Sequence, residues 1–130
     1  MSDIAIDTSA IIELLSGGPT AAEVRKTIDA ATLTLVSTVA RVEVALVMIG
    51  RFGWDRAAFE RNWHALGLEE VTVDSSLAST AITAFEAWGK GRAKAGLNFG
   101  DCFSYALATS RGLPLLFVGA DFSATDLERA

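Results

Sequence analysis

Apolar residues along the 130-residue chain alternate between short unbroken runs and longer stretches of helical spacing. Ile4-Ala5-Ile6 is such a run and ends at Asp7. Ala10, Ile11, Leu14 and Leu15 then recur at helical intervals until Gly17-Gly18-Pro19 stops them, predicting a strand followed by a helix. Thr20 with Glu23 three residues later has the form of a capping box for a second helix to about Ala30. Leu33-Thr34-Leu35-Val36 reads as a strand, with Ser37 or Thr38 capping a third helix whose stripe Val39, Val42, Leu46 and Ile49 is expected to dock on the sheet. A fourth helix runs from about Asp55 to Leu66. Glu70 to Val73 reads as a strand closed by the cap Asp74-Ser75-Ser76, and a fifth helix turns Leu77, Ala81, Phe85 and Trp88 inward before loosening at Gly89 to Gly96. A sixth begins near Asp101 and ends before Arg111-Gly112, and Pro114 to Val118 has the continuous apolarity of a strand buried on both faces.

Strands alternating with helices, some without polar alternation, predict a single α/β domain over 1–130. Its mostly parallel central sheet should have four to five strands, with helices on both faces. The length suits one domain that buries roughly two thirds of its unfolded surface. The composition, 51% apolar and 21% charged with two prolines, excludes a disordered chain. One cysteine, Cys102, excludes an internal disulfide, and the first residues carry no basic leader, so a cytoplasmic protein is expected. No apolar run is long enough to span a membrane. Sixteen acidic against eleven basic residues give a net charge of −5, which disfavours nucleic acid as a partner unless the acids hold cations. Two divalent ions would bring the net to about −1.

In parallel α/β sheets ligands gather beyond the carboxyl ends of the strands, and Asp7 and Asp121 both follow strands there. Each also has an ordinary role open to it, Asp7 as a helix N-cap and Asp121 as a turn residue. Glu43 lies on the edge of an apolar helical stripe, where a carboxylate is costly unless compensated, either by an arginine such as Arg41, Arg51 or Arg111 or by a cation. Asp101 opens a helix that continues through Phe103, Tyr105, Ala106 and Leu107, and capping by Asn98 or Asp101 competes with a role in a site. Acids gathered at one edge repel and persist at neutral pH only with a metal or a retained proton. Ligands that are all oxygen favour Mg²⁺ or Mn²⁺ over zinc. His64, beside Trp63 in an amphipathic helix, reads as structural or surface, and Cys102 as a small buried side chain.

Ile6-Asp7-Thr8-Ser9-Ala10, the Glu43 helix, Leu97-Asn98-Phe99-Gly100-Asp101-Cys102-Phe103-Ser104-Tyr105-Ala106 and Leu115-Leu116-Phe117-Val118-Gly119-Ala120-Asp121-Phe122 together resemble the PIN-domain ribonucleases, most closely the VapC-type toxins of type II toxin-antitoxin pairs. The resemblance spans essentially the whole chain. It implies a PIN-like fold and an endoribonuclease that uses Mg²⁺, with Mn²⁺ as a second option, to activate water against RNA phosphodiesters. In that reading Asp7, Glu43, Asp101 and Asp121 take the four acidic roles, Asp126 being an alternative to Asp121. Thr8 or Ser9 supplies a supporting hydroxyl, and four acids accommodate one ion or two.

Lys90, Arg92 and Lys94, in their glycine-rich stretch before Asp101, are candidates to hold the RNA backbone, or else form a solvated helix end. Arg51, Arg56 and Arg61 flank Trp54 and Trp63, an arrangement able to stack on bases although core or interface tryptophans fit it better. A positive mean hydropathy of +0.36 implies apolar surface covered by another chain. In this family that chain would be a second copy and a segment of the cognate VapB-type antitoxin, which could inhibit by placing a basic side chain among the acids. Two rivals remain. A phosphoacceptor receiver domain requires a lysine after a late strand, and none stands near the final one here. A non-catalytic PIN-like binding or regulatory module is disfavoured by four intact acids.

Overall fold

The computed structural model describes residues 2–130. In chain order the elements are β1 (Ile4–Ile6), α1 (Thr8–Ser16), α2 (Ala21–Ala30), β2 (Thr34–Ser37), α3 (Thr38–Gly50), α4 (Arg56–Ala65), β3 (Glu69–Val71), α5 (Ser75–Trp88), α6 (Phe99–Arg111) and β4 (Leu115–Leu116). The strands form one sheet in the order β3-β2-β1-β4, and every pairing is parallel. A fifth strand is reduced to one parallel bridge between Leu115 and Arg129.

Strand side chains alternate between faces, and both faces are covered. Ala5, Leu35 and Leu115 join a core with Leu77, Ala81, Ala84, Ala106 and Leu107 from α5 and α6. Ile4, Ile6, Val36 and Leu116 join a second core with Ile11, Val24, Val44, Met48, Phe59 and Trp63 from the helices α1 to α4. With one buried cluster on each side, the strands need no polar face, which is why the runs lack alternation. No helix among the described residues is long and apolar enough to cross a membrane.

Helix starts follow the polar residues that precede them. Ser37, Asp55 and Asp74 accept hydrogen bonds from the backbone amides of Ala40, Ala58 and Leu77. The expected capping box at Thr20 does not form. Glu13 reaches across from α1 and accepts from both the Thr20 amide (2.7 Å) and its hydroxyl (2.6 Å), so the acid that satisfies this helix start comes from the preceding helix.

Three further expectations are corrected. Strands β3 and β4 are shorter than the apolar runs, because Thr72, Val73, Pro114, Phe117 and Val118 fall outside the ladder. Phe85 is 43% exposed, and Ala84 takes its place against the sheet. The stripe Val39, Val42, Leu46 and Ile49 does not dock on the sheet: Leu46 is 69% exposed and Val42 57%, while Ala40, Val44 and Met48 are buried. Helix α3 is apolar on two sides, so its period alone does not say which side is the core. Truncating the buried side is therefore expected to cost far more than truncating the exposed one. In urea unfolding, Met48→Ala should lose about 2–5 kcal/mol, whereas Leu46→Ala should stay within about 0.5 kcal/mol of the parent. Equal losses would return the stripe to the core.

Candidate active site

Asp7 stands directly after β1 and is 3% exposed. It is the N-cap of α1, its Oδ2 accepting from the Ser9 amide at 3.0 Å, and its Oδ1 accepts from the hydroxyl of Ser104 on α6. Capping therefore uses part of the carboxylate without exhausting it. Asp101, 8% exposed, sits in the first turn of α6. Here the capping box does form: Asn98 accepts from the Asp101 amide at 2.9 Å, and Asp101 Oδ2 accepts from the Asn98 amide at 3.1 Å. The helix thus begins at Phe99, two residues before the expected start.

Glu43 approaches α6 from α3. Its Oε1 accepts from the Thr8 hydroxyl at 2.9 Å. A Cβ on Gly100 would lie 2.0 Å from Glu43 Oε2, so only glycine lets the carboxylate lie this close to the start of α6. Arg41 does not pair with Glu43; it bridges Glu60 and Glu70 at 3.2 and 3.3 Å. Among the described residues no ion pair reaches Asp7, Glu43, Asp101 or Asp121.

The electrostatics follow from that lack of cations. Burial pushes the Asp101 carboxyl up to about 7, against one lowering hydrogen bond from Asn98 and with further upward pressure from Asp7, Asp121 and Glu43. Burial also raises Glu43, with the Thr8 bond opposing and Asp7 adding to the rise. Asp101 thus senses all three other acids. They do not form a closed cage, since among the described residues no three acids, histidines or cysteines are grouped tightly enough to enclose an ion.

Asp121 is exposed, on the irregular segment after β4, next to Phe122, which is buried against Phe117 with ring centroids 5.2 Å apart. Asp126 is engaged elsewhere, accepting the Tyr105 hydroxyl, whose oxygen in turn accepts from Trp88 Nε1. Between the two alternatives, only Asp121 presses on Asp101. The Ser9 hydroxyl accepts from the Val118 amide at 3.0 Å, tying the segment after β4 to α1 and leaving Thr8 as the hydroxyl on a carboxylate. Lys90, Arg92 and Lys94 are exposed on a loop closed by the bridge between Gly89 and Leu97. Arg92 folds back onto α5, over the Phe85 ring and donating to the Glu86 carbonyl. Trp63 is a core residue whose indole N–H meets Glu70, His64 is exposed, and Cys102 is buried. Sequence reading passed over two residues at the site, Ser104 and Gly100. Ser104 lies three residues after Asp101, hence on its face of the helix, whereas the Gly100 contact depends on how α3 and α6 meet.

A parallel sheet with acids gathered at the strand ends and at the start of α6 is the arrangement of the PIN domain, and the chain belongs to that family, whose model matches residues 4–128. Within the family it stands with the VapC ribonucleases. It is 43% identical over 123 residues to VapC ribonuclease Mb0640 of Mycobacterium bovis and to ribonuclease VapC30 of Mycobacterium tuberculosis, covering 94% of each chain. It is 41% identical to ribonuclease VapC of Mycolicibacterium smegmatis, over 94% of this chain and 95% of that one. Two solved structures share the fold. Mycobacterium tuberculosis VapC20, a toxin that cleaves the sarcin-ricin loop, matches with a TM-score of 0.76 at 17% identity over 98% of both chains. A toxin-antitoxin complex from Klebsiella pneumoniae matches at 0.71 and 18% identity, over 95% of this chain and 92% of that one.

The raised Asp101 carboxyl makes stability depend on pH. The folded chain holds a proton that the unfolded chain releases above its ordinary value of 3.8. Stability is therefore lost as pH rises between about 4 and 7 and is level beyond that, at up to about 1.4 kcal/mol per pH unit. Asp101→Asn keeps the oxygen that caps Asn98 and removes the charge. In EDTA, the variant should melt progressively higher than the parent from pH 5 to about pH 7, with the difference levelling off above that; an unchanged difference between pH 5 and pH 7 would contradict the assignment.

Proposed function

We propose that the chain is a metal-dependent endoribonuclease, the toxin of a toxin-antitoxin pair, and that Asp7, Glu43, Asp101 and Asp121 form its catalytic centre. The observation that carries this reading is the buried Asp101 carboxyl, pressed on by three acids and neutralised by no side-chain cation among the described residues. Such a centre is relieved by a bound cation. Its donors are all oxygens, which select hard ions, Mg²⁺ and with it Mn²⁺. Mg²⁺ keeps several of its waters and needs only one or two carboxylates from the protein.

Asp7 and Asp101, the two most buried acids, would hold the ion, with Glu43 and Asp121 completing its surroundings. When bound, the ion would supply an activated water and offset the negative charge that develops on the phosphate. Glu43, with Oε1 held by Thr8 and its proton affinity raised by burial, is suited to take up the proton that water releases. Lys90 and Lys94, free at the surface, and Arg92 beside them would hold the RNA backbone, whose approach the net charge of −5 otherwise opposes. The site of action is the cytoplasm, consistent with one unpaired, buried cysteine.

Purified protein should cleave RNA with Mg²⁺ or Mn²⁺ and not with EDTA. Asp7→Asn and Asp101→Asn should each lower the rate at least ~100-fold, about 2.7 kcal/mol of transition-state stabilisation, and should abolish growth arrest on induction. Gly100→Ala, which pushes the flexible end of Glu43 aside, should impair cleavage while leaving melting nearly unchanged. Cleavage that resists chelator would refute the mechanism.

Two apolar faces support the partners. Between α3 and α4 lies a groove of about 560 Å³ in which Val42, Leu46, Ile49 and Phe59 are rimmed by Arg41, Arg56 and Glu60. The face of α5 and α6 offers Ile82, Phe85, Phe99 and Phe103 with no charged lining residue. Separable partners favour a polar rim, whereas permanent homodimers are the more apolar. We therefore assign the α3–α4 groove to an antitoxin segment, bound as a helix in a groove, and the α5–α6 face to a second copy. Leu46→Asp should abolish co-purification with the antitoxin and leave the sedimentation coefficient of the free toxin unchanged, whereas Ile82→Asp should shift the toxin to monomer. The reverse pattern would exchange the two assignments.

A further inference from the structure

Each oxygen of Asp7 has a donor, and the two donors differ in origin. The Ser9 amide on Oδ2 is local, two residues away, and comes with any aspartate that caps α1. The Ser104 hydroxyl on Oδ1 comes from α6, 97 residues along the chain, and is 2% exposed. A hydroxyl is an expensive way to fill that space. Along the helix Cys102, Tyr105, Ala106, Leu107 and Ala108 are buried and Phe103 half-buried, and alanine would pack there without a polar group to desolvate. Its single proton is spent on Asp7, and Ser104 shares a helix face with Asp101, three residues before it. One face of α6 therefore carries both an acid of the centre and a clamp on the acid facing it.

Resting on the reading of Asp7 as a cation-holding residue, we infer that Ser104 is a positioning residue for the metal centre: its hydroxyl fixes the plane of the Asp7 carboxylate relative to Asp101, so that the oxygen lone pairs not engaged by Ser9 and Ser104 are preorganised for a divalent ion. An ionised carboxylate has about four acceptor sites. Two are taken here, leaving about two for the cation, so the clamp orients Asp7 without blocking it. Hydrogen bonds to the residues that hold a metal commonly govern affinity by 10–100-fold, and among the described residues Ser104 makes the one such bond to Asp7 that joins two distant elements.

The test is Mn²⁺ binding to the purified chain, read by loss of the free-ion paramagnetic resonance signal and by calorimetry, with no RNA present. Ser104→Ala should weaken Mn²⁺ binding roughly tenfold, and Ser104→Cys, nearly the same shape with a poor donor, should weaken it to a similar extent. The cysteine variant carries the test if the alanine variant fails to fold. Ser104→Thr, which restores the hydroxyl, should recover most of the affinity. A purely structural serine would lower the metal-free melting temperature and leave Mn²⁺ affinity unchanged, which would overturn the inference, as would tighter binding in the alanine variant. Asp7→Asn separates the two levels. If it abolishes binding while both Ser104 variants bind normally, only the positioning role fails; if it binds Mn²⁺ as the parent does, the cation-holding reading of Asp7 fails and the inference with it.

Discussion

Burial of carboxylates beside other acids is the constraint around which this site is arranged. Asp7, Glu43 and Asp101 come from β1, α3 and α6, and burial, with the charges of Asp7, Asp121 and Glu43 adding to it, raises the Asp101 carboxyl to about 7. Neighbouring arginines do not relieve it, because Arg41 is committed to Glu60 and Glu70. The acids stay together because the elements that carry them cannot move apart without opening one of the two cores. Packing free energy is thus stored as proton affinity.

Within that constraint the hydrogen bonds on Asp7, Glu43 and Asp101 come from neutral donors among the described residues. Asp7 has an amide and a hydroxyl, Glu43 a hydroxyl and Asp101 an amide. Neutral donors orient a carboxylate while leaving its charge for a ligand, whereas a lysine or arginine in the same place would cancel that charge and compete with the ion. Gly100 belongs to the same arrangement. By giving up its side chain it lets the Glu43 carboxylate of α3 close on the first turn of α6, which carries Asp101.

The parts of this arrangement legible in the sequence are those encoded locally. A strand end followed by a cap locates Asp7, and capping residues at Asn98 and Asp101 mark the start of α6 to within two residues. A charge on an apolar helix needs an explanation, and this marks Glu43 whichever apolar stripe of α3 faces the core. The stripe through Val42 and Leu46 faces outward, and Glu43 lies between it and the buried stripe of Ala40, Val44 and Met48. Periodicity finds apolar stripes but cannot rank two on one helix, and the same ambiguity misplaced Phe85 against Ala84. Contacts between distant segments, such as Ser104 with Asp7, Gly100 with Glu43 and Glu13 with Thr20, leave no local pattern, because each depends on how elements meet rather than on what forms them.

The outward stripes give the acidic site a route to regulation that needs no large rearrangement. Val42 and Glu43 are neighbours on α3, one turned to the groove and the other to the acids, and on α6 Phe99 is exposed while Gly100 and Asp101 are buried beside it. A chain seated on either apolar face therefore rests on a helix that also carries a site carboxylate, and its next few residues are within reach of the acidic edge. In the proposed reading a lysine or arginine delivered there would meet carboxylates already destabilised by one another, and would relieve the same repulsion that favours the ion. The two cations would then exclude each other by charge, so a partner held by apolar contacts could switch the site off without distorting it.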